Sequence, residues 1–528
     1  IPQFSSLQRQ VGFLSAIPGL LRTPLSLSQA ENILRQRLSQ REELFLALLR
    51  DRIFSCPHSP YLPLLKEARC SLGDIDASVR RNGLESTLAE LKRGGVYFTF
   101  EEFKGRVPVK RGGLEFQVHP ADFDTPGLRR CVTRSTSGST GAGVRVTMSL
   151  NHIAATAPYQ LVFESGLGVL QAPSFIWFQG FPGFLGPQII LRTLLAGGSV
   201  SRWFTPSSLE SGLKSRLMRE SFLGLLRLLG HPVPRPEPLP YSQAGEMARH
   251  IHAALREHER CCLRSYLGAA VRTCSAAAET GVDLTGCTFQ VGGEAVTPGK
   301  AACIEAVGGR VVPGYSTTET SMIGLACLNP RDHSDLHLLS DGHVLIQSRR
   351  LVPGWEFEVD AFLLTSLLPS TPKVMLNVES DDYGIVEDRS CGCIWDSLGF
   401  RTHLRQVHSF CKLTGQGVTL IGSDALFVLD KVMPALFGGG PQDYQLCETE
   451  TKGMTRIELV VDPRLDIPDE GAVITAFLEA VRGSAIADPG TAAMWREADA
   501  LRVVRRPPAV AGRGKLLPLH LASREGAP

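Results

Sequence analysis

From residue 288 onward, short β-prone runs alternate with helical stretches, and this alternation limits the chain more than any other feature. Residues 288–291, 311–312 and 343–347 are brief and rich in Val, Phe and Ile, and residues 299–306 between the first two have the texture of a helix. Such an order belongs to a layered α/β sheet. After Gly384 the texture changes: residues 457–461 read as a strand, 470–482 as a helix and 501–504 as another strand. The predicted fold class is therefore α/β, with a large N-terminal body of layered sheets over residues 1–405 and a small C-terminal α+β domain over residues 406–528.

Residues 1–95 read as a mainly helical lead-in, because Leu34, Leu38, Leu44, Leu46 and Leu49 recur among Arg, Gln and Glu at amphipathic spacing. Residues 94–103, with Val96, Phe98 and Phe100 alternating, suggest a short strand running into a turn or helix. Five prolines in residues 231–240 predict a surface loop before a helix over 243–259.

Composition removes several function classes. At 528 residues with 43% hydrophobic and 20% charged side chains, the chain can bury large cores, unlike a disordered protein. Lys plus Arg number 55 against 53 Asp plus Glu, a balance that argues against a general polyanion binder, so no nucleic acid is expected. The most apolar stretch, residues 175–200, holds Gln179, Pro182, Gln188 and Arg192, which are costly in a spanning helix; no membrane partner is expected. Thirteen scattered cysteines read as free thiols in a reducing, cytoplasmic setting. With Ile1 first, the start of the chain says nothing about a removed targeting segment.

Two constellations carry chemistry. Arg134-Ser-Thr-Ser-Gly-Ser-Thr-Gly141 concentrates hydroxyls and glycines, and such a loop can wrap phosphate oxygens because Gly admits close backbone approach. It lacks the Gly-Lys-Ser/Thr ending of a Walker loop. Further on, Val291-Gly-Gly-Glu-Ala-Val-Thr-Pro298 precedes a helix and then Gly314-Tyr-Ser-Thr-Thr-Glu-Thr320. A Gly-Gly strand end leaves room for a planar ring, Tyr315 offers an aromatic face, Thr318 a phosphate donor and Glu319 a hard oxygen for magnesium.

Taken in order, residues 136–141, 314–319, Asp382-Tyr-Gly384, 412–415 and Gly514-Lys515 resemble the core motifs of the adenylate-forming enzymes, the superfamily of acyl-CoA synthetases, adenylation domains and luciferases. Ser59-Pro60-Tyr61, the segment 98–104 and Cys391-Gly-Cys393 are most similar to its phenylacetate-CoA ligase branch. The resemblance covers nearly the whole chain and implies that the small domain, residues 406–528, is a mobile C-terminal lid. It implies that Thr136, Ser137, Gly138, Ser139, Thr140 and Gly141 hold the ATP phosphates, with Gly292, Gly293, Glu294, Tyr315 and Ser316 around the nucleotide and Tyr315 against adenine. Thr318 and Glu319 would contact the α-phosphate and Mg2+, Asp382 the ribose hydroxyls, and Lys515 the carboxylate and α-phosphate oxygens. Arg405 would be the nucleotide-binding arginine of the hinge.

The implied activity is an ATP-dependent carboxylate ligase that adenylates a hydrophobic, aryl carboxylic acid and passes the acyl group to coenzyme A. An amine, a carrier protein or an unusual nitrogen nucleophile is the alternative acceptor, and a non-catalytic nucleotide-binding relative the alternative class. The chain would work as a monomer or homodimer. Trp177, Phe178, Phe181 and Phe184 are the candidate acyl-pocket lining.

The pattern has departures. Gly143 and Val144 stand where relatives carry Pro-Lys, Ser316 replaces a usual Gly, and residues 404–409 replace the hinge Gly-Arg-x-Asp, so that Arg405 fits only after a one-residue shift and no aspartate marks the pivot. Cys391, Cys393, His403, His408 and Cys411 also invite a zinc reading, but a Cys-x-Cys pair is closer than the usual ligand spacing, and buried free cysteines are the preferred expectation.

Overall fold

The computed structural model describes residues 12–22, 24–128, 131–135, 145–181, 184–206, 213–351, 358–409, 412–415, 418–421, 428–451, 453–467, 469–483, 501–508 and 519–521. The lead-in is helical, and its caps are legible. The Ser26 hydroxyl accepts from the Gln29 N–H at 3.3 Å while the Gln29 side chain returns to the Ser26 N–H at 2.9 Å, satisfying two donors that the start of helix Leu27–Ser39 leaves unpaired. Arg41–Leu48, Tyr61–Glu67, Leu72–Asn82 and Leu84–Arg93 follow and share one core with it. Residues 94–103 run into helix Phe100–Phe103 as expected, but the strand before it is reduced to one isolated bridge from Phe98 to Val378.

Among the described residues, twelve strands make one sheet with two halves. The parallel half runs Glu237–Pro238, Arg202–Thr205, Ser174–Trp177, Cys261–Tyr266, Cys287–Gly292, Arg310–Thr317. Its inner strands Ser174–Trp177, Cys261–Tyr266 and Cys287–Gly292 are buried nearly end to end, as strands with helices over both faces are. The edge strand Glu237–Pro238 lies inside the expected proline loop; proline has no N–H to offer and is tolerated at an edge. The antiparallel half continues Ser321–Ala326, Leu336–Leu338, Thr402–Ser409, Val378–Asp388, Glu358–Ser366, His343–Leu351. Arg310–Thr317 is the seam, parallel to one neighbour and antiparallel to the other.

The smaller C-terminal part has a four-stranded sheet ordered Leu501–Arg505, Met454–Val461, Tyr444–Thr451, Leu519–Leu521, with helix Glu470–Gly483. Leu446, Leu459, Val473 and Phe477 share a core with Leu267, Val271 and Ala277 of the large body, and the Thr297 hydroxyl meets the Glu450 carboxylate at 2.8 Å. The expected boundary at 405/406 falls inside Thr402–Ser409, which stays in the large sheet as far as the pair Asp382 and Ser409. No described helix is long and apolar enough to cross a membrane.

Candidate active site

The parallel strands end together along one edge. Ser174 lies beside Cys262 and Ile176 beside Arg264, so Phe178 comes level with Tyr266, and their rings meet edge to face at 4.9 Å. Tyr266 pairs with Gly292, and Val291 with Pro313, which brings Gly314 and Tyr315 next in the row. Phe178, Tyr266, Gly292 and Tyr315 therefore line the carboxyl edge beside the seam, where open α/β sheets leave a crevice for ligands. Gly292 is small for a reason: a Cβ there would stand 3.2 Å from the Gly314 carbonyl oxygen.

Across the seam stands Asp382. The Tyr315 hydroxyl donates to its Oδ2 at 2.7 Å, joining residues 67 positions apart. Burial, then the adjacent Asp382 carboxylate, pushes the Tyr315 phenol well above its ordinary value of 10.0, so the phenol stays protonated and acts as donor. Asp382 and Asp381 are both buried, and Asp381 accepts from the Ser409 hydroxyl at 3.0 Å. Gly384 explains itself in the same strand: the register slips between Tyr383 and Ile385, and a Cβ would meet the Arg405 carbonyl oxygen at 2.8 Å.

The turn after Tyr315 is tied internally. The Thr317 and Thr320 hydroxyls lie 2.9 Å apart, and the Thr320 N–H donates to Thr317 Oγ1 at 3.3 Å. Thr318 and Glu319 are partly exposed on it. Glu319 already has a cation: Lys104 Nζ donates to its Oε1 at 2.7 Å, with both side chains near one-eighth exposed. Lys104 follows helix Phe100–Phe103, whose Phe103 meets Phe123, which in turn packs against Phe98 and Tyr61. The early segments around Tyr61 and 98–104 thus converge and hold a lysine against the motif turn. In the sequence Lys104 is marked only as the last residue of the segment 98–104; its partner lies 215 residues away, beyond any local signal.

Two neutral histidines support the turn from below. His343 Nε2 donates to the Met322 carbonyl at 2.9 Å, and His152 lies beside the Thr320 backbone and His343. Burial is the main cause that lowers His152 to about 3 and His343 to about 4 from 6.5.

The remaining candidates divide. Glu294 is a strut: it accepts from the Gly268 N–H at 3.2 Å and from Lys300 Nζ at 3.1 Å. Gly293 takes a φ of +84° beside it, a conformation that suits glycine, and Ser316 is exposed. Arg405 is committed to Asp332 at 2.9 Å and Glu387 at 3.1 Å. The four aromatics are not brought together as one lining. Trp177 sits with Tyr241 in one core, whereas Phe178, Phe181 and Phe184 belong to another, because successive strand residues face opposite sides of the sheet. Thr136, Ser137, Gly138, Ser139, Thr140, Gly141 and Lys515 lie outside the described residues. Of the zinc candidates, Cys391 and Cys393 approach His337, His403 accompanies Asp335, His408 lies near Tyr383, and Cys411 lies outside the described residues.

No protein-family model and no curated protein sequence matches the chain. Solved structures match in fold. A 2-hydroxyisobutyryl-CoA ligase, solved in complex with 2-HIB-AMP and CoA in its thioesterification state, is 16% identical across 95% of this chain and 91% of its own, with a TM-score of 0.50. The amide bond synthetase McbA from Marinactinospora thermotolerans is 15% identical across 91% of this chain and 93% of its own, with a TM-score of 0.43. The anthranilate CoA ligase AuaEII, in complex with anthranoyl-AMP, is 12% identical across 86% and 75%, with a TM-score of 0.34. The first of these likenesses is one of fold: the chain shares the α/β architecture of that CoA ligase.

Proposed function

We propose that the chain is an ATP-dependent ligase that adenylates a hydrophobic, aryl carboxylic acid and transfers the acyl group to an acceptor, coenzyme A first. The observation that carries this reading is the meeting of Tyr315 and Asp382 at the sheet's seam, level with Gly292 and Phe178. The face of Tyr315 suits adenine. The Asp382 carboxylate, which accepts from the tyrosine, is an acceptor of the kind ribose hydroxyls need.

In the reaction, a carboxylate oxygen of the acid attacks the α-phosphorus of ATP, and pyrophosphate leaves with the electron pair of the broken bond. The acceptor nucleophile then attacks the acyl carbonyl and AMP departs. Both partners of the first step are anions, so holding them together and offsetting their charge is the main task of the protein. Lys515 is proposed for that charge, and Thr136, Ser137, Ser139 and Thr140 for the phosphate oxygens. Magnesium, when bound, would offset phosphate charge, and Glu319 supplies the hard carboxylate oxygen it prefers. Phe178, Phe181 and Phe184, with Tyr266 beside them, are proposed for the acyl ring, which leaves Trp177 to the opposite face.

Acid-dependent ATP–pyrophosphate exchange tests the first half-reaction, and a hydroxamate screen repeated with coenzyme A and with amines separates activation from transfer. Silence across a broad panel of aryl and alkyl acids would defeat the proposal. Lys515→Ala should depress exchange without loss of fold; an unchanged rate removes Lys515 from the mechanism. The Lys104–Glu319 pair and the engaged Arg405 favour one second reading, a relative that binds nucleotide without turnover. Calorimetric ATP binding with no exchange supports it, and acyl adenylate detected by mass spectrometry dismisses it.

A further inference from the structure

Four potential ligands converge at the far end of strand Ser321–Ala326. Cys327, His337, Cys391 and Cys393 are all buried, and their three sulfurs and one ring nitrogen lie within 4.8 Å of one another. His337 Nε2 is 3.4 Å from the Cys391 sulfur and 3.2 Å from the Cys393 sulfur. Around one tetrahedral zinc with Zn–S near 2.3 Å, ligand atoms stand roughly 3.5–3.8 Å apart, so the cluster needs only slight adjustment to enclose an ion.

The surroundings orient the donors. His337 Nδ1 meets the Phe400 carbonyl oxygen at 2.9 Å; a carbonyl only accepts, so Nδ1 carries the proton and the Nε2 lone pair faces the sulfurs. Metal-bound histidines are commonly fixed by such a second hydrogen bond. The Cys391-Gly-Cys393 loop is held independently: Asp396 accepts from the Cys391 and Gly392 N–H groups at 3.0 and 2.9 Å, and Asn329 donates to the Cys391 carbonyl at 2.7 Å. Asp335 and His403, which with Cys327 form a second close group, bond to each other at 2.7 Å. Elsewhere the buried Cys261, Cys274 and Cys287 lie in an apolar core, a different environment from the imidazole-centred cluster.

We propose that Cys327, His337, Cys391 and Cys393 bind one zinc ion as a closed, structural site. Four protein ligands leave no open position for substrate. Cys327 directly follows strand Ser321–Ala326, whereas the motif turn precedes it, so the ion would stand roughly 20 Å from Glu319 at about 3.3 Å per strand residue. Its work is to staple three segments: the end of the strand leaving the motif turn, strand Leu336–Leu338, and the connection between Val378–Asp388 and Thr402–Ser409. Loading zinc releases up to three thiol protons, one for each cysteine that binds as thiolate.

The test uses the full chain purified without a histidine tag or added metal, and zinc content is read whether or not the chain turns over ATP. One zinc per chain is expected, with X-ray absorption showing three sulfurs at about 2.3 Å and one nitrogen at about 2.0–2.1 Å. Less than about a tenth of an equivalent both as purified and after incubation with zinc chloride, or a shell of only oxygen and nitrogen, overturns the proposal. Cys393→Ser should lose most of the zinc while Cys274→Ser keeps it. Unfolding would also release metal, so the ligand swap His337→Cys serves as the second variant: its expected shell is four sulfurs, and a folded variant with an unchanged shell overturns the assignment.

Discussion

The two ends of strand Ser321–Ala326 do opposite things with the same kinds of group. At one end Glu319 is held by Lys104 in a partly exposed pair, and the partly exposed Tyr315 bonds to the buried Asp382, contacts that a ligand can replace. At the other, three thiols and an imidazole are buried within 4.8 Å of one another, with further hydrogen bonds holding the imidazole and the Cys391-Gly-Cys393 loop. An exchangeable pair suits a site that must open and refill; a closed set suits a fastening. The difference lies in the exposure of Glu319 and Tyr315 and in who else holds the ligands.

The largest expected effect breaks the fastening without touching the chemistry. Cys393→Ser should lower Tm by up to about 10 °C, since a structural zinc contributes on the order of 10 kcal/mol and roughly 1 °C accompanies each in a chain this long. Adenylation measured well below the new Tm should stay within about twofold. Loss of activity with no thermal change would merge the two ends into one site. Glu319→Gln should do the reverse, cutting pyrophosphate exchange on the order of 10²-fold with a Tm change of a few degrees at most. A silent Glu319→Gln would remove Glu319 from phosphate and magnesium handling.

Acid should loosen the motif end. His152 and His343 are bases whose values fall on folding, to about 3 and about 4 from 6.5. Their contribution is complete above pH 6.5 and lost as pH drops toward 4 and 3, because the unfolded chain takes up protons that the folded chain refuses. His343→Gln should flatten the dependence of stability on pH in that window by up to about 1.4 kcal/mol per pH unit. Denaturant titrations from pH 7 to 4.5 check it, and an unaltered slope would mean that His343 titrates as it does in the unfolded chain.

Smaller effects sharpen the picture. Tyr315→Phe keeps the ring and removes one donor, so ATP affinity and stability should each change by about 1 kcal/mol; a far larger loss would make the hydroxyl itself essential. Arg405→Ala removes ion pairs to Asp332 and Glu387 and should cost about 1 kcal/mol or less. If acyl transfer slows more than tenfold while adenylation is intact, Arg405 serves as the hinge despite those partners.

Much of the architecture was legible locally. The strands read at 288–291, 343–347 and 457–461 lie within Cys287–Gly292, His343–Leu351 and Met454–Val461, and the helix read at 470–482 is Glu470–Gly483, because side-chain period and end signals act over a few residues. Tyr315 and Glu319 were legible as residue types in a turn. Lys104 and the ligands Cys327 and His337 were not: each matters through a neighbour dozens to hundreds of positions away. Trp177 failed as a companion of Phe178 for a related reason, since one step along a strand reverses the face.

What the sequence determined by itself was the alternation that makes a layered α/β body, the capped helical lead-in, and the order in which hydroxyls, tyrosine and carboxylates occur. Only the tertiary structure decided that Asp382 meets Tyr315, that Lys104 holds Glu319, and that Cys327 and His337 complete what Cys391 and Cys393 begin. The physical reason is register: local propensities form a strand, but the partner of each side chain depends on which strands pair, in what direction and with what offset, and those are set by burial of the whole sheet.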